Sequence, residues 1–232
     1  MALTTDNPQN KELMRAMRER HSVRRYLEKP LDKNTVDELE SIIAAINCEG
    51  DLNMQLVTDE PRAFRGIFAY GKFFGVRNYI VVTGRKSDDL DDRVGYWGEL
   101  LVLKARLMWL DTCWVGLSYS KVAGTFTLKP DHKVVCYIAI GYGVDHGSSH
   151  KIKTPEQVSN VSATTPGWFR DGVEAALLAP TAINQQKFHF EYLGGDKVAA
   201  SRRFSAVGYT RLDLGIARRH FEIGADHPVE WV

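Results

Sequence analysis

Arg20-His21-Ser22-Val23-Arg24-Arg25-Tyr26 is a dense basic stretch with a hydroxyl residue at its centre, and the chain is organised around it. It follows one polar segment of helical pattern and precedes another. Alternate residues of an extended segment point the same way, so Arg20, Ser22 and Arg24 can converge on a phosphate by charge-assisted hydrogen bonds. The alternative is a solvated charge run between two helices, and the stretch alone does not decide between them.

The composition is that of a packed globular protein with little net charge. Of 232 residues, 44% are hydrophobic and 25% charged, which suits one large domain or two small ones. The formal charge of +1 argues against a general nucleic-acid binder, so a bound anion would be small. No apolar run approaches a membrane span, and no signal peptide is recognisable at the start. Three widely spaced cysteines, Cys48, Cys113 and Cys136, favour a reducing compartment, and we expect a cytoplasmic protein.

Hydrophobic periodicity predicts a series of helices and strands along the first half. The predicted helices are Asn10 to Glu19 with Leu13, Met14 and Met17 on one face, Asn34 as N-cap through to Asn47, Ala63 to Phe74, and Tyr96 to Leu110. The predicted strands are Met54 to Thr58, Tyr79 to Gly84 and Val134 to Gly141, with a turn at Asp111 to Gly116 and a polar linker at Asp145 to His150. The helix Tyr96 to Leu110 is apolar almost all round, which predicts a central position.

The second half resembles the first, although the match is weak enough to arise by chance. Ala175-Ala176 falls on Ala44-Ala45, Asn184 on Asn53 and Gln186 on Gln55, and Gly208-Tyr209 falls on Gly95-Tyr96, where each pair is predicted to open an apolar helix. A real repeat would mean two similar units packed as a pseudo-dimer in one integrated globular domain. The units would be residues 1–147 and a truncated second copy, residues 148–232.

Four motifs in order along nearly the whole chain carry a resemblance to a known family. They are Arg20 to Tyr26 followed by Pro30-Leu31; Leu110 to Gly116; Ile138-Ala139-Ile140-Gly141-Tyr142-Gly143; and Ala179-Pro180-Thr181-Ala182-Ile183-Asn184-Gln185-Gln186. Together they resemble the FMN-dependent nitroreductases, in particular the branch in which two tandem units make a monomer look like the usual dimer. The implied fold is α+β, with a central, mostly antiparallel sheet flanked by helices.

The resemblance implies a flavin site that uses both halves of the chain. The first half keeps the arginine signature, whereas its counterpart of the Ala179 to Gln186 motif has become Cys48 to Gln55. The second half keeps that motif, and Lys151-Ile152-Lys153 stands where its arginine signature would be. One FMN per chain is therefore expected, with the twin site lost. The expected protein is a monomer, with further oligomerisation left open.

The resemblance also implies a role for each matching residue. The FMN phosphate and ribityl chain would be bound by Arg20, His21, Ser22 and Arg24, and the phosphate also by Lys151 and Lys153. Lys72 would lie near the pyrimidine edge of the ring, and the N5 and O4 edge would be approached by Trp114, Val115 and Gly116. The other side of the ring would be lined by Pro180, Thr181, Ala182 and Asn184, with Gln186 bracing their loop. The alternatives are a surface cluster for the arginine stretch, a solvated linker for Lys151 and Lys153, an ordinary surface position for Lys72 and a core position for Trp114. Lys187-Phe188 replaces the family's usual Pro-Trp, so the chain's course after Gln186 is open.

The implied activity is hydride transfer from NADH or NADPH through flavin N5 to a nitroaromatic, quinone or flavin acceptor. No side chain is required as an acid or base, so no catalytic residue is assigned. A second hypothesis is a flavin carrier or redox sensor without significant turnover, and a third is a protein that has lost FMN. No histidine has partners at a convincing metal spacing. Glu99 and Asp213 are buried-carboxylate candidates that salt bridges would explain equally well.

Overall fold

The fold is α+β, with two sheets and six α-helices in the part of the chain that the structure covers. A computed structural model describes residues 8–66 and 72–232. The helices are α1 Pro8–Glu19, α2 Lys33–Gly50, α3 Leu90–Leu107, α4 Pro155–Val158, α5 Gly167–Ala176 and α6 Thr210–Ala225, with short 3-10 helices at Pro61–Phe64 and Ala182–Asn184. The strands are β1 Gln55–Val57, β2 Asn78–Arg85, β3 Asp111–Val115, β4 His132–Gly141, β5 Phe188–Gly194, β6 Lys197–Arg202 and β7 Glu230–Trp231.

The chain divides into two compact units. The arginine unit comprises the described parts of Arg20–Leu90 and Leu101–Ser149. The C-terminal unit comprises the described parts of Met1–Glu19, Asp91–Leu100 and His150–Val232.

The arginine unit is built on a four-stranded antiparallel sheet in the order β1-β2-β4-β3. Its central strands are apolar on both faces, as the continuous β-branched and aromatic runs predict. Ile80 pairs with Ile138 in the ladder, and both are fully buried. Tyr79 stacks on Tyr137 with ring centroids 5.1 Å apart. Strand β3 lies at one edge of this sheet, where it can pair with a further segment.

The C-terminal unit contains a three-stranded sheet in the order β5-β6-β7, with β5 and β6 antiparallel and β7 parallel to β6. Phe188 and Phe190 alternate with more exposed residues along β5, and their rings are buried. The ring centroid of Phe190 lies 4.8 Å from that of Phe221 in α6. Apolar burial of this kind is the main favourable contribution to the folding of the unit.

The structure confirms the α+β class with mostly antiparallel strands, helix α1 and the buried strands β2 and β4. Leu13 and Met17 are buried on α1, as predicted. Four predictions were wrong in detail. Helix α2 is capped by Asp32, whose Oδ1 accepts a hydrogen bond from Thr35 N at 3.0 Å, and not by Asn34. Residues Asp111–Val115 form strand β3 instead of a turn, because they pair with β4 from Asp111 opposite Gly141 onward.

The third error concerns the helix predicted from Ala63 to Phe74. Only Pro61–Phe64 forms a 3-10 helix, and Phe74 forms a bridge with Arg25. Residues 67–71 of that prediction lie outside the described residues. Helix α3 also starts at Leu90, so Gly95-Tyr96 lies inside it instead of opening it. The proposed repeat of the two halves stays a prediction.

Among the helices that the structure describes, none has the length and apolar character to cross a membrane. Within residues 8–66 and 72–232, no cluster of three or more His, Cys, Asp or Glu side chains could hold a metal ion. The three cysteines form no disulfide within the described residues, and of the three only Cys48 is exposed.

Candidate functional site

The arginine stretch extends the edge of the sheet in the arginine unit. Ser22 forms a parallel bridge with Thr112 of β3, and Val23 N donates to Thr112 O at 3.0 Å. On the other side, Phe74 N donates to Arg24 O at 3.0 Å. The backbone of the stretch is therefore fixed from two sides, which a free charged loop would not be.

Residues 142–147 hold the same stretch in place. Val144 N donates to the carbonyl oxygen of Arg25 at 2.9 Å. Gly147 has a φ of +73°, and a Cβ at this position would lie 2.8 Å from the Cβ of His21. A side chain at residue 147 would therefore require a strained backbone and would clash with His21.

The three residues predicted to bind an anion all act on the Cys113 side chain. Burial raises the pKa of the Cys113 thiol, and the charges of Arg24 and Arg20 and a hydrogen bond from Ser22 act in the opposite direction. Arg20 is only 5% exposed, so it does not belong to a solvated charge run. Arg20, Ser22 and Arg24 thus lie on the side of the segment that faces Cys113, and their convergence on a phosphate stays a prediction.

Arg24 has the features of a cation that can bind a ligand. Its side chain is exposed, and it forms no salt bridge with a carboxylate in residues 8–66 and 72–232. Lys72 is also exposed and lies two residues before Phe74, which pairs with the arginine stretch. Trp114 is half-buried and Val115 is buried at the end of β3. Gly116 follows them directly and is half-buried.

Sequence reasoning missed Asp111, a buried carboxylate that organises this region. It is 3% exposed, and its Oδ1 accepts a hydrogen bond from Arg106 Nη1 at 3.1 Å. Its Oδ2 accepts from Gly143 N at 3.1 Å and lies 3.2 Å from His146 Nδ1. Asp111 therefore joins the start of β3 to the segment that holds the arginine stretch. The only sequence signal was a charged residue between two apolar runs.

The predicted site residues of the C-terminal unit also form a connected group. Gln186 is buried, and its Nε2 donates to Lys151 O at 2.7 Å and to Asn184 Oδ1 at 2.8 Å. Its Oε1 accepts from Lys153 N at 3.0 Å. Gln186 N donates to Thr181 Oγ1 at 3.0 Å. These contacts make Gln186 the brace of the loop, which is the role that the sequence suggested.

Asn184 and Lys153 face inward more than the sequence indicated. Asn184 Nδ2 donates to Lys151 O at 2.8 Å, so one donor and one acceptor site of its amide are already used within the protein. Lys153 Nζ donates to the carbonyl oxygens of Gln186 at 2.6 Å and Gln185 at 3.2 Å. Pro180 is half-buried at the start of the loop.

The loop has an unusual backbone. Ile183, Asn184 and Gln186 have φ values of +47°, +57° and +45°, and none of them is glycine. For a β-branched residue such as Ile183 this conformation is an outlier, and its side chain is 78% exposed. Strained conformations persist where surrounding contacts hold them, and they are typical of ligand-binding sites.

Asp213 in α6 accepts two hydrogen bonds from this loop. Its Oδ1 accepts from Ala182 N at 3.0 Å and its Oδ2 from Gln185 Nε2 at 2.7 Å. Burial raises the pKa of Asp213 to about 6, although the two hydrogen bonds act in the opposite direction. The carboxylate suggested by the sequence is therefore buried without a salt bridge in the described part of the chain.

A cavity of about 580 Å³ in the C-terminal unit includes only one predicted site residue, Lys153. Arg18 adds a second positive charge, whereas Asp171 and Glu174 supply negative charge, and Leu178 lines the apolar wall. The carboxylates make this cavity unsuitable for a phosphate, and we assign no ligand to it.

Comparison with known proteins supports a common origin of this fold. The sequence model described as Putative TM nitroreductase matches residues 12–225. The structure is similar to the crystal structure of a putative nitroreductase from Thermotoga maritima, with a TM-score of 0.64 and 23% identity, over 91% of this chain and 82% of that one. It is also similar to a putative nitroreductase in complex with FMN from Desulfovibrio desulfuricans, with a TM-score of 0.52 and 20% identity, over 69% and 99% of the two chains. Among curated proteins, none matches the chain significantly.

Proposed function

The chain belongs to the Putative TM nitroreductase family, and on that premise we propose that it is an FMN-dependent NAD(P)H oxidoreductase. The proposed acceptor is a nitroaromatic, a quinone or a free flavin. The observation that carries this proposal is the strained and fully braced loop Thr181 to Gln186, which is also the segment that resembles the flavin-contacting motif of nitroreductases. A loop held in this way by buried hydrogen bonds is pre-organised for a ligand.

The donor set of the arginine unit fits the phosphate end of FMN. Arg24 is exposed and without a carboxylate partner in the described residues, and the charge of Arg20 acts at the same point. Ser22 offers a hydroxyl between them. Guanidinium groups bind phosphate oxygens by paired, charge-assisted hydrogen bonds, so these residues would hold the phosphate. Lys72 would place positive charge near the ring when the ring is reduced.

The C-terminal loop would contact the ring system. Asn184 keeps one N–H and one oxygen lone pair for a ligand after its contacts with Lys151 and Gln186. When bound, FMN supplies the hydride and electron chemistry. The protein's own residues bind, orient and shield the reacting groups, and we assign no side chain as an acid or base.

The first test is the visible spectrum of the full-length chain after incubation with FMN and gel filtration. We expect one FMN per chain, and bleaching on addition of NADH or NADPH under anaerobic conditions. Reoxidation by a nitroaromatic or quinone at a rate well above that by buffer alone would support an enzyme. Bound flavin that neither donor reduces would instead favour a carrier or sensor, and a chain without flavin would overturn the proposal.

The second test asks whether the arginine stretch binds the cofactor. Arg20→Ala with Arg24→Ala should abolish stoichiometric FMN binding, because two charge-assisted contacts to the phosphate are lost. Circular dichroism checks that the variant is folded, since Arg20 is buried. Full retention of FMN in a folded double variant would contradict the site assignment.

A further inference from the structure

Lys187 lies on the outward face of the β5–β6 ladder in the C-terminal unit. The side chains of Phe188 and Phe190 point inward, at 1% and 0% exposure. Side chains alternate along a strand, so Lys187 and His189 share the opposite face. Lys187 also stands where the nitroreductase pattern usually has a proline.

Arg203 belongs to the same face. Its backbone N donates to Lys187 O at 2.7 Å, which places the two residues opposite each other at the end of the ladder. Its guanidinium Nη2 lies 3.3 Å from His189 Nδ1. Because arginine can only donate, this Nδ1 is the acceptor, and the Nε2–H of a neutral His189 is left as a donor. Ser201 pairs with His189 in the ladder and adds a hydroxyl to the face.

Lys153 reaches the same place from a different segment. Its Nζ donates to Gln186 O, the carbonyl directly before Lys187. Partial burial is the largest cause that lowers the pKa of Lys153, and the charges of Lys187 and Arg203 lower it further. The charges of Lys187 and Arg203 therefore both act on Lys153. We call the group of Lys153, Lys187, His189, Ser201 and Arg203 the basic face.

The charge of the basic face is not neutralised within the described residues. Lys153, Lys187 and Arg203 form no salt bridge in residues 8–66 and 72–232. Glu191 is the next residue on the same side of β5, and its negative charge acts on His189, which lies at the edge of the basic face. Like charges held together repel, and a bound dianion would relieve this repulsion.

We propose that the basic face is a binding subsite for a phosphate monoester, a role that deepens the proposed function and rests on it for the identity of the ligand. The cationic side chains of Lys187 and Arg203, the imidazole N–H of a neutral His189 and the hydroxyl of Ser201 provide donors for a phosphate dianion. Lys153 adds positive charge, since its Nζ already donates to the carbonyl oxygens of Gln185 and Gln186. Two sources of this chemistry belong to the proposed reaction: the 2′-phosphate of NADPH, or the 5′-phosphate of FMN if the basic face holds it in place of Arg20 and Arg24.

The first experiment tests the subsite without flavin. The melting temperature of flavin-free, full-length protein is measured with increasing inorganic phosphate at constant ionic strength. Phosphate should raise it in the wild type, because a ligand that binds only the folded state stabilises that state. The rise should be lost in Lys187→Gln/Arg203→Gln. The matched control is Lys197→Gln, which lies on the same face of β6 but faces Glu230 at 3.8 Å.

An equal rise in the wild type, the control and the double variant would overturn the subsite, even if the chain proves to be a flavoenzyme. A rise that only the double variant loses would support it, even if the chain binds no flavin. If the double variant does not fold, the same comparison is made with Arg203→Gln, since Arg203 is exposed and its loss leaves the backbone ladder intact.

The second experiment identifies the source of the phosphate. Affinities for FMN and riboflavin, and KM values for NADPH and NADH, are measured for the same three proteins. If the subsite binds the flavin phosphate, the double variant should lose about tenfold or more in affinity for FMN and none for riboflavin. If it binds the nucleotide phosphate, KM should rise for NADPH alone. Unchanged ratios for both pairs would exclude both sources and overturn the role in the proposed reaction.

Discussion

Gln186 Nε2 donates a hydrogen bond to Lys151 O over 2.7 Å, so a buried side chain at the third strained position of the loop ties two distant segments of the C-terminal unit together. Lys153 N donates back to Gln186 Oε1 at 3.0 Å. The loop Thr181 to Gln186 thus has its shape fixed mainly by one side chain.

Gln186→Leu should therefore weaken both the fold and flavin binding. The substitution leaves Lys153 N without its partner and removes one of the two donors to Lys151 O, and an unsatisfied buried group costs about 1–3 kcal/mol. We expect a lower free energy of unfolding in denaturant titration and at least about tenfold weaker FMN binding. Gln157→Leu is the control, because Gln157 is exposed and only caps its own short helix. Equal FMN affinity in the Gln186 variant would separate the loop from the site.

The stability of the protein should decrease between about pH 4 and pH 6 through Asp213. Burial raises its pKa from 3.8 to about 6. The folded state therefore binds the Asp213 proton more tightly than the unfolded state does. The stabilisation that this proton gives to the folded state is complete below the pKa of the unfolded state, and it is lost as the pH rises through the pKa of the folded state. A shift of this size corresponds to at most about 3 kcal/mol.

Asp213→Asn should remove this pH dependence. The carboxamide oxygen can still accept from Ala182 N, and Gln185 can turn its amide so that its Oε1 accepts from the new Nδ2. Free energies of unfolding measured from pH 4 to pH 7 should then fall less steeply in the variant than in the wild type. Parallel profiles would show that Asp213 does not titrate in this range.

The sequence predicted those parts of the fold whose pattern is local. Strand β2 is a continuous apolar run and α1 has a clear helical face, and both were predicted near their observed bounds. The strand at Asp111–Val115 was missed because its five residues become a strand only through pairing with β4. Propensity gives way here to tertiary context.

The candidate site was predictable as a set of residues but not as a set of contacts. The alternation of Arg20, Ser22 and Arg24 predicted that they face the same way, and all three act on the Cys113 thiol, whereas their convergence on a phosphate stays a prediction. No local pattern revealed that Asp213 supports Ala182, because the two residues are distant in sequence. The buried Asp111 was likewise missed, since its partners come from two separate segments, at Arg106 and at residues 143–146.

Arg24→Gln should weaken FMN binding far more than Arg25→Gln. The two residues are adjacent and both exposed, and the substitution removes the same charge from each. Only Arg24 acts on the Cys113 thiol together with Arg20 and Ser22. Loss of one charge-assisted hydrogen bond corresponds to about 1.5–3 kcal/mol, or roughly 10-fold to 100-fold in affinity. Quenching of flavin fluorescence gives both dissociation constants. Equal losses in the two variants would mean that net charge, and not the direction of Arg24, determines binding.

Glu99 and His220 form a buried pair in the C-terminal unit, with both side chains fully buried and Glu99 Oε1 2.9 Å from His220 Nε2. His220 Nδ1 also lies 3.2 Å from Ala175 O, so the ring links α3 to the end of α5. Removing one partner of such a pair breaks a buried contact that water cannot replace, which costs about 3–5 kcal/mol when the remaining group is charged. His220→Leu and Glu99→Leu should therefore each be strongly destabilising in denaturant titration. The double variant should lose less than the sum of the two, because both single variants break the same contact. Asp196→Ala is the matched control: it removes a pair of the same 2.9 Å separation with His227, but at the surface, where about 1 kcal/mol or less is expected. Strictly additive losses in the double variant would show that the two residues contribute separately and that the pair is not the unit of stability.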